Sequence, residues 1–183
     1  MNWLVFFSVL SFSGYFLTNK KPFKYSFQTN LDRKIKAVPL FVIPYVLFFP
    51  LIIFTYLYLE NNFKNDFAIS LIIGNLMATI FWHLLPNGVV REVLPSQSYL
   101  ARLINFIYRH DGDTNGFPSG HVFVSLLCSY YLSLTTPSLD LIFYLIGASI
   151  SISTVLTKQH YLLDILGGVI FAMLAILSTQ LFF

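Results

Sequence analysis

Charged side chains are scarce in this chain: 11 Lys and Arg and 8 Asp and Glu make up only 10% of its 183 residues, against 56% hydrophobic ones. That is too little polar surface to solvate a globule of this size, which excludes a soluble enzyme, a disordered tail and a fibrous repeat. Cysteine is nearly absent. The single Cys128 lies inside an apolar run, so neither an intramolecular disulfide nor a Cys-based zinc site is available. A basic face is missing too. The cations are scattered over short segments between apolar runs, so the net charge of +3 does not mark a nucleic-acid binder. Repeats, low-complexity tracts and linkers are not found, and residues 1–183 read as one integral-membrane domain.

What the chain does have is apolar length. Six mainly apolar runs, at about 2–18, 37–59, 67–85, 119–136, 138–157 and 161–183, approach the ~20 residues needed to cross a hydrocarbon core of about 30 Å. The fold class is therefore read as all-α, a polytopic membrane bundle of six transmembrane helices. The first run has neither the basic start nor the small-residue cleavage site of a signal peptide, so it is read as an uncleaved span. Pro39, Pro44 and Pro50 predict a bent second helix. Lys20, Lys21, Lys24, Arg33, Lys34, Lys36, Arg91, Arg102, Arg109 and Lys158 fall in the first, third and fifth connections, and only Lys64 in the second. Ten basic residues against one put the first face in the cytoplasm by the positive-inside rule. Nearly all polar residues share that face, so any chemistry belongs there.

Two polar clusters stand out. Asp111-x-Asp113-x-Asn115-Gly116 fits the first half of a calcium loop, but the twelfth position, where a bidentate Glu is required, is Val122. No metal or other cofactor is expected. Pro118-Ser119-Gly120-His121 reads instead as a helix start: Ser119 is a cap, and the exposed N–H groups with the helix dipole make an anion site with His121 beside it as a proton donor. In the second cluster, His160 and Asp164 are four residues apart and share a helical face. The carboxylate can accept one imidazole N–H and leave the other nitrogen free as a nucleophile. An acid near the start of an otherwise uncharged span is costly unless paired, so Asp164 marks a functional site.

Pro-Ser-Gly-His ending at His121, followed by Ser153, His160 and Asp164 in a Ser-x6-His-x3-Asp pattern, resembles the type-2 phosphatidic acid phosphatase superfamily. The likeness extends over about residues 30–175. It implies a lipid phosphatase in which His160 is the nucleophile that takes the phosphoryl group, Asp164 orients it, and His121 protonates the leaving alkoxide. Ser119 and the Gly120 N–H would hold phosphate oxygens. It further implies a lipid phosphate as substrate, membrane lipids as the only other partners and a multi-pass location in the cell membrane. Arg91 matches the arginine of the superfamily's Lys-x6-Arg-Pro motif, but Leu84 stands at the lysine, Glu92 at the proline, and Thr154 at the arginine of the third motif. With two phosphate cations missing, Lys158 is the expected substitute, as a point charge without a bidentate fork. The Ser-Thr-x-x-Thr-Lys-Gln-His-Tyr-x-x-Asp form is similar to the inositol phosphorylceramide synthase-like branch, which implies a phosphotransferase as the alternative. A non-catalytic phospholipid-binding protein is the third reading.

The remaining polar residues are expected to be structural. Trp82 and His83 read as interfacial rings, Asp111 and Asp113 as turn residues, and Gly167-Gly168 as a point of close helix packing. Arg102 and Arg109 flank an amphipathic stretch expected to lie along the membrane surface.

Overall fold

The computed structural model describes residues 3–91, 93–95 and 98–183, so position 92, where Glu92 replaces the motif proline, lies outside the described residues, as does the beginning of the first apolar run. The described chain is all-helical: α1 (Trp3–Ser11), α2 (Ser13–Thr18), α3 (Asn30–Lys34), α4 (Val42–Val46), α5 (Phe48–Tyr58), α6 (Asn61–Leu84), α7 (Tyr99–His110), α8 (Gly120–Thr135), α9 (Asp140–Leu156) and α10 (Leu162–Phe182). Short 3-10 turns at Pro39–Phe41 and Pro137–Leu139 lead into α4 and α9.

Among the described residues, four segments are long and apolar enough to cross a membrane: Pro39–Tyr58, Asn61–Leu84, Pro137–Leu156 and Leu162–Phe182. The expected first and fourth spans are shorter, as Trp3–Thr18 and Gly120–Thr135. For the fourth the packing supplies the reason. At 16 residues α8 is about 24 Å long, and it sits in the middle of the bundle against α5, α6, α9 and α10. Val122, Phe123, Leu127, Cys128 and Leu132 are fully buried. A helix surrounded by protein has no hydrocarbon thickness to match. Its neighbours show lipid instead: Ile53, Leu57, Leu76, Ile80, Leu141, Leu166 and Leu181 are exposed large hydrophobics on the outer faces.

The second apolar run is bent, as its prolines predict. Pro50 has no N–H to give the carbonyl of Val46, and α4 ends there, with Leu47 joining it to α5. The second connection differs from the expected loop over 60–66. Helix α6 begins at Asn61, so Lys64 and Asp66 lie on its first turns and the connection shrinks to Leu59 and Glu60. Polar side chains tie the helices together where apolar contact alone gives no specificity. The Ser129 hydroxyl donates to the Phe143 carbonyl at 2.8 Å, and Ser70 links to Tyr131 at 2.7 Å and to Thr179 at 2.8 Å. Gly147 allows α9 its close approach, since a Cβ there would stand 2.4 Å from Ser129 Oγ. Gly167 and Gly168 act as expected: Cβ atoms would fall 2.5 Å from the Phe117 ring and 2.6 Å from Val122, where α10 meets α8.

Connectivity puts the ends of α2, α6 and α9 and the starts of α8 and α10 at one end of the bundle. The chain entering and leaving these five termini therefore builds one polar layer.

Candidate active site

The turn between α9 and α10 carries His160. Its backbone N–H and that of Gln159 both donate to the Thr154 carbonyl, at 3.1 and 2.8 Å, which folds the chain back tightly at the end of α9. His160 Nδ1 lies 2.8 Å from the Gly116 carbonyl and 3.4 Å from Asp164 Oδ2. Both neighbours are acceptors, so Nδ1 carries the proton and Nε2 keeps a free lone pair. The pairing is present, but not through a shared helical face: α10 begins at Leu162, His160 lies in the turn before it, and Gly116 makes the closer contact. Asp164, 1% exposed, accepts the Tyr161 amide at 2.8 Å through the same Oδ2, while its Oδ1 has no partner among the described residues.

The loop before α8 delivers the second histidine. Ser119 caps α8 by accepting from the Val122 amide at 3.4 Å, and its own N–H donates to the Asp164 carbonyl at 3.1 Å, joining the two clusters. The Gly120 and His121 amides donate to no acceptor among the described residues, which leaves a helix start open to an anion. His121 stacks on Tyr45 with ring centres 4.4 Å apart and packs at a tilt against Phe48 at 4.2 Å, and its ring centre lies 6.2 Å from that of His160. Gly120, His121 and His160 share a cavity of about 450 Å³, half of whose other lining residues are aromatic, among them Phe12, Tyr15, Tyr45, Phe48 and Trp82, while Lys20, His110 and Asp111 add polar groups. Such a cavity combines a wall for an apolar chain with charged and imidazole side chains.

The expected cations are held elsewhere. Arg91 Nη1 and Nη2 donate to the Asp111 and Gly112 carbonyls at 3.3 and 2.9 Å and pair with Asp113 at 3.3 Å and Asp111 at 3.7 Å. Only Nε lacks an acceptor among the described residues. Asp111 and Asp113 are therefore arginine partners and not merely turn residues, and Asp111 also accepts from Tyr15 and Asn19 at 2.5 and 3.1 Å. Lys158 Nζ donates to the Asp32 carbonyl at 2.9 Å, and Lys158 does not line the cavity. Thr154, at the motif's arginine position, is buried with its hydroxyl on the Ser151 carbonyl at 2.7 Å; Leu84, at its lysine position, is 69% exposed. His83 is exposed as expected, whereas Trp82 is 3% exposed and lines the cavity.

Several residues that build the site are missed by sequence reasoning. Asn87 is buried and grips the loop before α8 from both sides, donating to the Phe117 carbonyl at 2.9 Å and accepting the Phe117 amide at 2.5 Å. Its only sequence signal is an Asn-Gly pair, which reads as a turn. Tyr108, on the expected amphipathic helix α7, donates to the Thr157 carbonyl at 2.6 Å, and the Arg91 guanidinium lies 5.4 Å from its ring centre. Burial pushes its phenol up to about 12 while Arg91 pulls it down, so it stays a donor at neutral pH. Asp32 accepts the Leu162 amide at 2.9 Å; the capping pattern Thr29-x-x-Asp32 is legible, its partner across 130 residues is not.

No curated protein and no solved structure matches this chain. The sequence model of the PAP2 superfamily matches residues 41–178, well over half of the chain and inclusive of Arg91, both histidines and Asp164. The chain is a membrane protein that belongs to the PAP2 superfamily, a membership that suggests phosphatase- or phosphotransferase-type activity.

Proposed function

We propose that the protein is a lipid phosphatase that hydrolyses a phosphomonoester or diphosphate of a lipid through a phosphohistidine on His160. The observation that carries this reading is the placement of His160 Nδ1 against two acceptors, the Gly116 carbonyl and Asp164, which leaves Nε2 as the nitrogen free to attack at a cavity shared with His121. Nε2 attacks the phosphorus in line with the lipid oxygen, the P–O bond breaks, and His121 gives its proton to that oxygen. Water then attacks the phosphohistidine and releases inorganic phosphate. Negative charge on the transferring group is met by the Gly120 and His121 amides and the dipole of α8. Arg91 and Ser119 complete the proposed binding set, and Arg91 would have to exchange its present acceptors for phosphate oxygens to touch substrate; Lys158, expected from the sequence as a further cation, is held on the Asp32 carbonyl away from the cavity. No metal takes part.

In this reading Trp3–Thr18 and Gly120–Thr135 complete six passes, the protein sits in the cell membrane, and the site faces the cytoplasm. The charge distribution supports that side, because Lys64 at the far end of α6 is the one base opposed to ten.

The test uses purified protein in detergent with a panel of lipid phosphates. Phosphate should be released in EDTA, vanadate should block release, and rapid quenching should trap an acid-labile phosphoenzyme that His160→Ala lacks. An absolute need for Mg²⁺ or a phosphoenzyme surviving in His160→Ala would overturn the mechanism. Product that appears only when an acceptor alcohol is supplied would identify a phosphotransferase. For orientation, one cysteine is placed at Ser26 or Asn62 in a Cys128→Ser background, both positions being exposed. An impermeant maleimide on intact cells should label Asn62 and spare Ser26; the reverse pattern would turn the site outward.

A further inference from the structure

Outside the region matched to the superfamily, the segment before α4 makes a contact with the site that its sequence does not announce. Helix α3 is only five residues long, and it is held by a capping box in which Asp32 Oδ2 accepts the Thr29 amide at 2.7 Å and the Thr29 hydroxyl at 2.6 Å. This leaves Oδ1 and the backbone carbonyl of Asp32, and both are spent on the His160 turn. Oδ1 accepts the Leu162 amide at 2.9 Å, and the carbonyl accepts Lys158 Nζ at 2.9 Å. One buried residue therefore holds the chain on both sides of His160, two positions before it and two after. Asp32 is 1% exposed.

The turn needs holding. Lys158 has φ 56°, a left-handed conformation that a residue with a side chain seldom adopts and that persists where surroundings over-determine it. The other restraints act on one side of His160 or on the residue itself. Before it, the Thr154 carbonyl holds the Gln159 and His160 amides and Tyr108 the Thr157 carbonyl. After it, the Val90 amide holds the Tyr161 hydroxyl; Asp164 holds the Tyr161 amide and the imidazole, and Gly116 the imidazole. Among the described residues, Asp32 is the one bonded both before and after His160. The Val38 amide adds a bond to the Leu156 carbonyl at 2.8 Å, so the same N-terminal segment also closes the end of α9.

We propose that Asp32 is a positioning residue for His160: its carboxylate and carbonyl clamp Leu162 and Lys158 so that Nε2 stays aligned on the cavity, and Lys158 serves this clamp. The proposal rests on the phosphohistidine reading for its catalytic consequence and on geometry alone for the clamp. An attacking atom displaced by about 1 Å loses rate of the order of 10²-fold, and substrate binding at the α8 amides is untouched. The effect belongs in kcat.

The experiment compares Asp32→Ala, Asp32→Asn and Lys158→Ala in the full chain, reading kcat, KM and amide hydrogen exchange over residues 157–162. Asp32→Ala should speed exchange in that segment without changing it over 121–127, and should lower kcat by about 10- to 100-fold at unchanged KM. Asp32→Asn keeps an oxygen for the Leu162 amide at the expense of the bond from the Thr29 amide, and should restore part of kcat; it also serves if the alanine variant fails to fold. Lys158→Ala should behave like Asp32→Ala, and the double variant should lose less than the product of the two. Unchanged exchange in Asp32→Ala would refute the clamp. Faster exchange with wild-type kcat would refute its catalytic role, and a Lys158→Ala defect confined to KM would return Lys158 to the phosphate. If the wild type releases no phosphate, the lipid phosphatase reading fails, and the exchange arm still decides the clamp.

Discussion

Two helices begin side by side on the polar face, and their first turns are used in opposite ways. At α8 the Gly120 and His121 amides are left without acceptors among the described residues. At α10 the cap amide and the first helical amide are filled by carboxylates, Asp164 on Tyr161 and Asp32 on Leu162. A helix N-terminus attracts anions, so the chain supplies its own at one start and leaves donors without acceptors at the other. The carboxylates at α10 hold the turn that carries His160, and the helix start at α8 borders the cavity. The Ser119 amide, on the Asp164 carbonyl, joins the two starts, so neither can shift alone.

Removing each side in turn should separate these roles. The largest effect is expected from His160→Ala, which leaves no attacking nitrogen and should abolish phosphate release, whereas His121→Ala on the α8 side should slow it by about 10²–10⁴, the usual share of a general acid. Equal and mild losses at the two positions would break the assignment of nucleophile and acid. Asp164→Asn comes next. Where nothing else fixes the tautomer, loss of such a carboxylate costs roughly 10⁴ in kcat; here the Gly116 carbonyl holds Nδ1–H at 2.8 Å, so the loss should be well short of that. A full 10⁴-fold drop in steady-state assays would mean that Gly116 does not set the tautomer. The smallest effect concerns the cap of α8. Ser119→Ala removes one cap bond, worth about 1 kcal/mol, and should lower thermal stability slightly while weakening vanadate inhibition through displacement of the free amides. Unaltered inhibition would detach Ser119 from anion binding.

Much of this site is legible without coordinates, for a local reason. His160 lies in the turn just before α10 and Asp164 at the third position of that helix, where it caps the Tyr161 amide beside the imidazole, and Ser119 begins a helix through its own side chain, so short-range geometry fixes both relations. The cations are a different case. Arg91 and Lys158 are visible as charges, but whether a guanidinium or ammonium reaches phosphate depends on which carbonyls compete for it, and those come from residues 111, 112 and 32. Asn87 and Asp32 are ordinary turn and cap residues in the sequence; only the folding of distant loops onto the His160 turn makes them part of the site.

The same division holds for the whole chain. By itself the sequence determined that this is an all-helical membrane protein with its polar residues on one face, because water and hydrocarbon sort side chains by composition over stretches of about 20 residues. It also determined the bend at Pro50 and the close packing at Gly167 and Gly168, where single residues remove a donor or a Cβ. Tertiary structure decided that α8, too short to match the hydrocarbon by itself, is enclosed by other helices, that Trp82 turns inward to the cavity, and that Arg91 and Lys158 are bound by carbonyls and carboxylates. Those outcomes depend on which surfaces meet. A buried polar group must take whatever partner the packing brings within about 3 Å, and that choice is made between segments far apart in the chain.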